Sequence, residues 1–421
     1  MSPGTAERAV LARIRPGALI ALLEDWIPLR SDGGRESVMQ RAVARELERR
    51  GLQVEMRELD LEALREHPSW SAEIERGEGL GVLGSLPGSG GGRSLLLNGH
   101  VDVVPAGEEA LWTRPPWRAT VEDGRVYGRG ACDMKGGLAC AVVAAGAIRE
   151  AGVSLAGDLL VQSVIGEEDG GCGSLAAAVA GQRADAAVVA EPTGLGIAPA
   201  QAGALNFRLH VRGRAAHAAV RYEGVSALEK LPPLLVALRR LEERLNEQGG
   251  GPLFESWPIP FPLSVGTVRA GDWASTVPDT LVCEGRLGVP VGAEASEARR
   301  ALEDAMAAAA AADPWLAQHP PRVEWWGGQY EPAAIPADHP LVATLSGALA
   351  DVGAGPARVV GVPYGSDLRL LVREAGTPAV LFGPGDVRRA HAADEYVPVD
   401  ELVACARTLA LAALRFCGTS C

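Results

Sequence analysis

The sequence predicts an α/β fold: a larger domain with a mixed central sheet flanked by helices, interrupted by a smaller inserted α+β domain of ferredoxin-like order. Three observations predict it. Short, near-continuous apolar runs alternate with helical stretches, and each run opens into a polar loop, as expected of a sheet covered on both faces. The middle of the chain changes rhythm to strand, helix, strand, strand, helix, strand, the split βαβ motif. Apolar α/β units then resume after about residue 332. The expected domains are therefore 1–203 with 332–421, and an insertion at 204–331.

Taken in order, residues 37–51 carry helical periodicity and stop at Gly51, and the strand-like LQVEMREL follows. Four apolar runs then precede polar loops: Leu95–Leu97, Leu159–Ile165, Ala186–Val189 and Ala379–Phe382. Met134–Ala151 reads as a helix between two of them. In the insertion the strands are LNFRLHVRG (205–213), FPLSVGTV (261–268), TLVCEGRLG (280–288) and RVEWW (322–326). Its helices are expected from about Val225 to Gln248 and over Glu294–Ala312. Pro232 and Pro233 inside the first of these imply a kink or a late start.

The 421 residues are 47% hydrophobic and 22% charged, which suffices for a large core without disulfides. A formal charge of −13 argues against nucleic acid, which needs clustered Lys and Arg. The seven cysteines, Cys132, Cys140, Cys172, Cys283, Cys405, Cys417 and Cys421, are odd in number, scattered and free of CxxC pairs. That pattern fits reduced thiols in a cytoplasm, with Cys417 and Cys421 in an inert terminal tail. The N-terminus shows no apolar signal-peptide core and no segment reads as a membrane span, so no membrane partner is expected.

Four polar loops sit just beyond predicted strands, the edge of an open α/β sheet where ligands bind. They read Asn98-Gly-His100-Val-Asp102, Gly166-Glu167-Glu168-Asp169-Gly170-Gly171, Ala190-Glu191-Pro192-Thr193 and the stretch from Gly383 to His391. Asp133, in GRGACDMKGG, lies at the mouth of a helix. Two histidines and several carboxylates form a borderline-hard donor set that suits zinc, cobalt or manganese. Alternation in an extended HxD segment places His100 and Asp102 on one side, so Asp102 can accept the ring N–H opposite a metal. Of the adjacent Glu167 and Glu168, one can ligate while the other handles protons. His67, His319 and His339 sit in Pro-flanked loops and read as solvated, and His210, in mid-strand, reads as structural. Cys132 has no His–acid relay around it and is not expected to act as a nucleophile.

The chain resembles the acetylornithine deacetylase and succinyl-diaminopimelate desuccinylase family, within the dinuclear-zinc peptidases that include carboxypeptidase G and aminoacylase. The resemblance rests on NGHVDVVPAG, GRGACDMKGG, GEEDGGCGS, AEPT, GRAAHA, STVPD with EGR, YGSD and GPGDVRRAH…DEYV, in family order from about residue 18 to 402. It implies a zinc-peptidase-like catalytic domain holding two divalent ions, zinc by default with cobalt or manganese possible. Asp133 would bridge them, with His100 and Glu191 completing one site and Glu168 and His391 the other. Glu167 would be the general base and then acid, and Asp102 would orient His100. His217, otherwise a plain turn residue, would polarise the scissile carbonyl, usually across a dimer interface. Arg286, otherwise a surface strand arginine, would anchor a substrate carboxylate, and the Gly383–Gly385 loop would line the pocket. Ser275 departs from the Asn of many relatives, which leaves that segment's contact with substrate open.

The expected activity is metal-dependent hydrolysis of the amide of a small N-acyl amino acid. A metallo-carboxypeptidase or dipeptidase using the same site is the alternative, and a catalytically silent metal-binding protein a lesser one. The insertion, 204–331, would act as a lid and carry a homodimer interface.

Overall fold

The computed structural model describes residues 3–247 and 249–420, so the expectations for Gln248 and Cys421 lie outside the described residues. The chain divides into two units, one of Met1–Pro199, Ala334–Val360 and Ser366–Cys421, the other of Ala200–Ala333 and Gly361–Gly365.

The first unit is organised on a mixed sheet whose centre is four parallel strands. Leu159–Val164 pairs with Leu95–His100, which pairs with Ala186–Val189, which pairs with Ala379–Leu381. Antiparallel strands extend one side, Leu80–Leu86 and then Gln53–Glu58. Leu95–His100 and Ala186–Val189 are buried at every position, as strands covered on both faces must be. The helix Gly136–Glu150 packs against Val399–Cys417 and Pro16–Trp26, and 13 of its residues, Gly136 to Ile148, are buried.

That helix corrects one expectation. The helical stretch Ala131–Glu150 is long and apolar enough to cross a membrane, but its apolar part is buried inside the protein and only Arg149 and Glu150 at its end are exposed. Small residues dominate it, which hid its length of apolar character beside the Leu- and Val-rich strands. Cys417 corrects another: it closes the buried helix Val399–Cys417 rather than lying in a tail, and its Sγ donates to the Asp158 carbonyl at 3.6 Å.

The second unit is a four-stranded antiparallel sheet in the order Leu263–Ala270, Thr280–Val289, Gly203–Arg212, Arg322–Tyr330. In chain order the middle strands are the third and first, which is the ferredoxin-like arrangement. Gly203–Arg212 alternates, with Leu205, Phe207, Leu209 and Val211 buried and Asn206, Arg208 and His210 less so. Against the buried face pack helices Leu231–Asn246 and Ala295–Ala311, through Leu234, Leu238, Leu241, Leu302 and Met306. The proline pair causes no kink. The helix starts late, at Leu231, so both prolines fall in its first turn, where a missing N–H costs nothing. Residues 361–365 join this unit: Arg286 Nη2 donates to the Pro363 carbonyl at 2.8 Å and Trp257 Nε1 to that of Gly361 at 2.8 Å.

Candidate metal centre

The four parallel strands end in the four loops that carry the site. His100 is the last residue of its strand; Glu167 and Glu168 follow Val164, Glu191 follows Val189, and His391 lies beyond Leu381. Asp133 sits in the irregular turn Ala131–Lys135 that leads into the buried helix, with extended φ −122° and ψ 99°, and its peptide bond to Met134 is cis.

These residues converge. His100 Nε2 lies 3.2 Å from Asp133 Oδ1, 3.8 Å from Glu191 Oε1 and 3.9 Å from Glu167 Oε2. On the other side, His391 Nε2 lies 3.6 Å from Asp133 Oδ2 and 3.0 Å from Glu168 Oε2. Asp133 therefore presents one carboxylate oxygen to each histidine. Two triplets, His100–Asp133–Glu168 and His100–Glu167–Glu191, bring one donor atom from each residue within 4.8 Å of the others. His100 is 1% exposed, whereas the His391 side chain is 54% exposed and has a left-handed φ of 58°.

So many acids in one buried place compete for protons. Burial and then the neighbouring Glu191 push the Glu167 carboxyl well above the usual carboxylate range. Burial and then Asp133 do the same to Glu191 and raise Glu168. Burial works to raise Asp133 too, but hydrogen bonding to His100 wins and holds it low. For His391 burial disfavours charge, yet Glu168 raises it to about 9. Carboxylates that must hold protons to coexist are the groups a cation would relieve.

The donors fit such a cation. Among the described residues Glu168 Oε1 is buried without a hydrogen-bond partner, and imidazole with carboxylate suits zinc, cobalt or manganese. Cys132 stays outside the set. Its Sγ donates to the Asp386 carbonyl at 3.5 Å, and burial pushes its thiol well up, so it is no nucleophile.

The role expected of Asp102 needs correction. The ring nitrogen of His100 remote from Asp133, Nδ1, meets the Asp102 backbone carbonyl at 2.9 Å, while the nearer carboxylate oxygen is 3.6 Å away. The strand ends at His100, so the alternation argument lapses one residue too early. The carboxylate turns to the next loop instead, and its Oδ2 accepts the Glu168 N–H at 2.9 Å.

Gly383 and Gly385 are buried, and their N–H groups are already used, donating to Thr193 Oγ1 at 3.1 Å and Glu401 Oε2 at 2.8 Å. They supply closeness rather than donors. A Cβ on Gly383 would stand 2.4 Å from the Ala190 and Glu191 carbonyls, and one on Gly137 would stand 1.9 Å from that of Ala190, so both glycines let the chain press on the Glu191 loop.

Three candidates belong to the second unit. His217 caps a short 3-10 turn, its Nδ1 accepting the Ala219 N–H at 3.1 Å. Ser275 lies beside it, its carbonyl accepting the Ala218 N–H at 2.9 Å. Arg286 is half-buried, burial disfavours its charge, and among the described residues no carboxylate lies within 4.0 Å to pair with it. The remaining histidines have local roles. His210 pairs with Glu324 at 2.8 Å, as its mid-strand position suggested. His67 and His339 each accept a nearby backbone N–H, and His319 stacks on Trp315.

Sequence reasoning missed the frame around the site. Arg76 is buried between Asp169, at 2.6 Å, and Glu36, at 2.8 Å, and thereby pins the Glu167–Glu168 loop. Asp367, 1% exposed, accepts from Ser174 Oγ at 2.6 Å, while its Oδ1 has no hydrogen-bond partner among the described residues. Lys135, fully buried, donates to the carbonyls of Trp26 and Leu29 at 3.0 and 2.9 Å. Asp367 stood in the YGSD motif, whereas Arg76 lay in an unremarkable polar loop with no signal.

A strand-end site of this composition on this sheet defines a metal-dependent hydrolase, and the chain belongs to peptidase family M20/M25/M40, whose match covers residues 96–415. It is similar to N-formyl-4-amino-5-aminomethyl-2-methylpyrimidine deformylase of Bacillus subtilis (strain 168), 32% identical over 346 residues, 76% of this chain and 79% of that one. It is also similar to acetylornithine deacetylase of Myxococcus xanthus, 33% identical over 336 residues, 79% of this chain and 82% of that one. In fold it matches the di-peptidase Dug1p of Saccharomyces cerevisiae, with TM-score 0.77 and 14% identity over 97% of this chain and 98% of that one. The chain is thus an amide-cleaving hydrolase of this family.

Proposed function

We propose that the protein is a deacylase that cleaves a small N-acyl amino acid or a related amide bearing a carboxylate. The observation that carries the reading is Asp133 offering one oxygen toward His100 and the other toward His391. His100, Asp133 and Glu191 would hold one cation, and Asp133, Glu168 and His391 a second, with zinc the default and cobalt or manganese tolerated by the same donors. When bound, the cations supply Lewis acidity to the amide carbonyl and to the attacking water.

The chain's own residues do the rest. Glu167, whose buried carboxyl has a raised proton affinity, takes the proton of the attacking water and returns it to the leaving nitrogen. Asp102 accepts the Glu168 N–H and so holds the two glutamates in place. His217 donates to the carbonyl oxygen as negative charge builds there, from the same chain or from a second copy. Arg286, a half-buried guanidinium, pairs with the substrate carboxylate, with Ser275 beside His217 contributing to the same surface. Gly383 and Gly385 shape the wall behind Glu191. Residues 204–331 serve as a lid and homodimer surface, and the protein works in the cytoplasm.

The test is a hydrolysis screen on metal-loaded and chelated enzyme with N-formyl, N-acetyl and N-succinyl amino acids, dipeptides and formylated amines. Metal-dependent cleavage of an acyl amino acid supports the reading. Preference for dipeptides would favour a dipeptidase or carboxypeptidase. Cleavage only of substrates without a carboxylate would remove the role given to Arg286.

A further inference from the structure

One buried acid beside the site takes no part in the proposed chemistry, Glu395. It is 1% exposed, lies four residues beyond His391, and directly precedes the strand Tyr396–Pro398, which pairs with Arg125–Tyr127. One carboxylate oxygen, Oε1, accepts two successive backbone N–H groups, that of Cys132 at 2.9 Å and that of Asp133 at 3.1 Å. The other, Oε2, accepts from Arg129 Nη1 at 2.6 Å, and the Glu395 carbonyl accepts the Gly128 N–H at 3.0 Å. The segment 128–133 is thus held at four residues, Gly128, Arg129, Cys132 and Asp133, by one glutamate. Lys135 holds the far side of the same turn through the carbonyls of Trp26 and Leu29.

We propose that Glu395 is a positioning residue that sets the backbone of Asp133, so that its two carboxylate oxygens face the two histidines, and that it ties this turn to the loop carrying His391. The turn has no regular helix or strand to fix it: Asp133 and Met134 have non-helical φ/ψ inside the irregular stretch Ala131–Lys135. A ligand on such a segment is oriented only by what its backbone bonds to. Two N–H groups converging on one carboxylate oxygen is a strong, directional constraint. A rigid strand start immediately after Glu395 makes the anchor itself well placed. Outer partners of this kind typically change metal affinity about 10–100-fold when removed. An ordinary buried ion pair between Glu395 and Arg129 would contribute to stability without touching the metal geometry, and that difference is measurable.

The inference rests on the reading of Asp133 as a metal ligand, so Asp133→Asn is assayed alongside. The full-length protein is loaded with Co2+, and its visible spectrum and its affinity by chelator competition are recorded together with thermal unfolding. Glu395→Ala is expected to bind Co2+ roughly 10–100-fold more weakly with a shifted ligand-field band, with kcat reduced more than KM is changed. Glu395→Gln, which keeps an oxygen for the two N–H groups, should recover most of the affinity. Glu395→Asp, whose carboxylate is withdrawn by one methylene, should not, and it carries the test should Glu395→Ala fail to fold. A folded Glu395→Ala or Glu395→Asp with the parent spectrum and affinity, whatever its melting temperature, overturns the proposal. If Asp133→Asn itself keeps both ions with the parent spectrum, the ligand reading has failed and the proposal falls with it.

Discussion

The guanidinium of Arg76 closes on the carboxylate of Asp169 through two contacts, Nη2 to Oδ1 at 2.6 Å and Nη1 to Oδ2 at 3.0 Å. Both side chains are almost without solvent, and Glu36 approaches the same guanidinium at 2.8 Å. Asp169 Oδ2 also accepts the N–H groups of Glu73 and Ile74. Replacing Arg76 by Met leaves two buried acids facing each other without a cation, which costs about 3–5 kcal/mol. Urea unfolding of Arg76→Met should show that loss, and Arg76→Lys should recover only part of it, because an ammonium cannot span both carboxylates.

Glu167 and Glu168 are neighbours in sequence but face different partners, and both stand within reach of His100 or His391. If Glu167 handles protons, Glu167→Gln should lower kcat by about 10²–10⁴-fold while the protein keeps both metal ions. Elemental analysis of the purified variant decides the matter. Loss of an ion together with activity would move Glu167 from base to ligand, the alternative that its grouping with His100 and Glu191 allows.

Metal removal should cost stability as well as activity. Without cations, Glu167, Glu168 and Glu191 repel one another in a buried cluster. A ligand present at a thousand times its dissociation constant stabilises by about 4 kcal/mol. Chelation should therefore lower the melting temperature, and stoichiometric Zn2+ should restore it. A scan unchanged by chelator would mean that the acids do not form a metal centre.

In the chelated protein the pH dependence has a definite sign at Asp367. Burial pushes its carboxyl up to about 6, although the Ser174 hydroxyl pulls the other way. The folded state then binds more protons than the unfolded state between about pH 4 and pH 6, so stability falls as pH rises through that window. Asp367→Asn should remove the penalty, making the chelated variant more stable than the parent at pH 7 by on the order of 2–3 kcal/mol, with no such gain at pH 4. Urea midpoints at the two pH values test this.

Much of this was legible in the sequence because strand ends and polar loops are local features. The runs Leu95–Leu97, Leu159–Ile165, Ala186–Val189 and Ala379–Phe382 give the four parallel strands, and the loops after them bring His100, Glu168, Glu191 and His391 together with Asp133. The frame was not legible, because its partners are far apart in the chain: Arg76 with Asp169, and Glu395 with Cys132 and Asp133. Asp102 shows the limit of periodicity. The strand stops at His100, and one bend exchanges the carboxylate expected at the imidazole for a backbone carbonyl. The proline pair at 232 and 233 shows the reverse, a local conflict that vanishes once the helix begins at Leu231.

His100 and His391 lie on opposite sides of the second unit in the chain, and Asp133 needs both of them to have its two oxygens occupied. Glu191, the last of the four acids, precedes His391 by 200 residues, so over that length a growing polypeptide carries all four acids with only one of the two imidazoles. A cation held by Asp133, Glu168 and His391 would therefore be captured after one held by His100, Asp133 and Glu191, and the buried helix Gly136–Glu150 gains its cover from Val399–Cys417 only once that later segment is made.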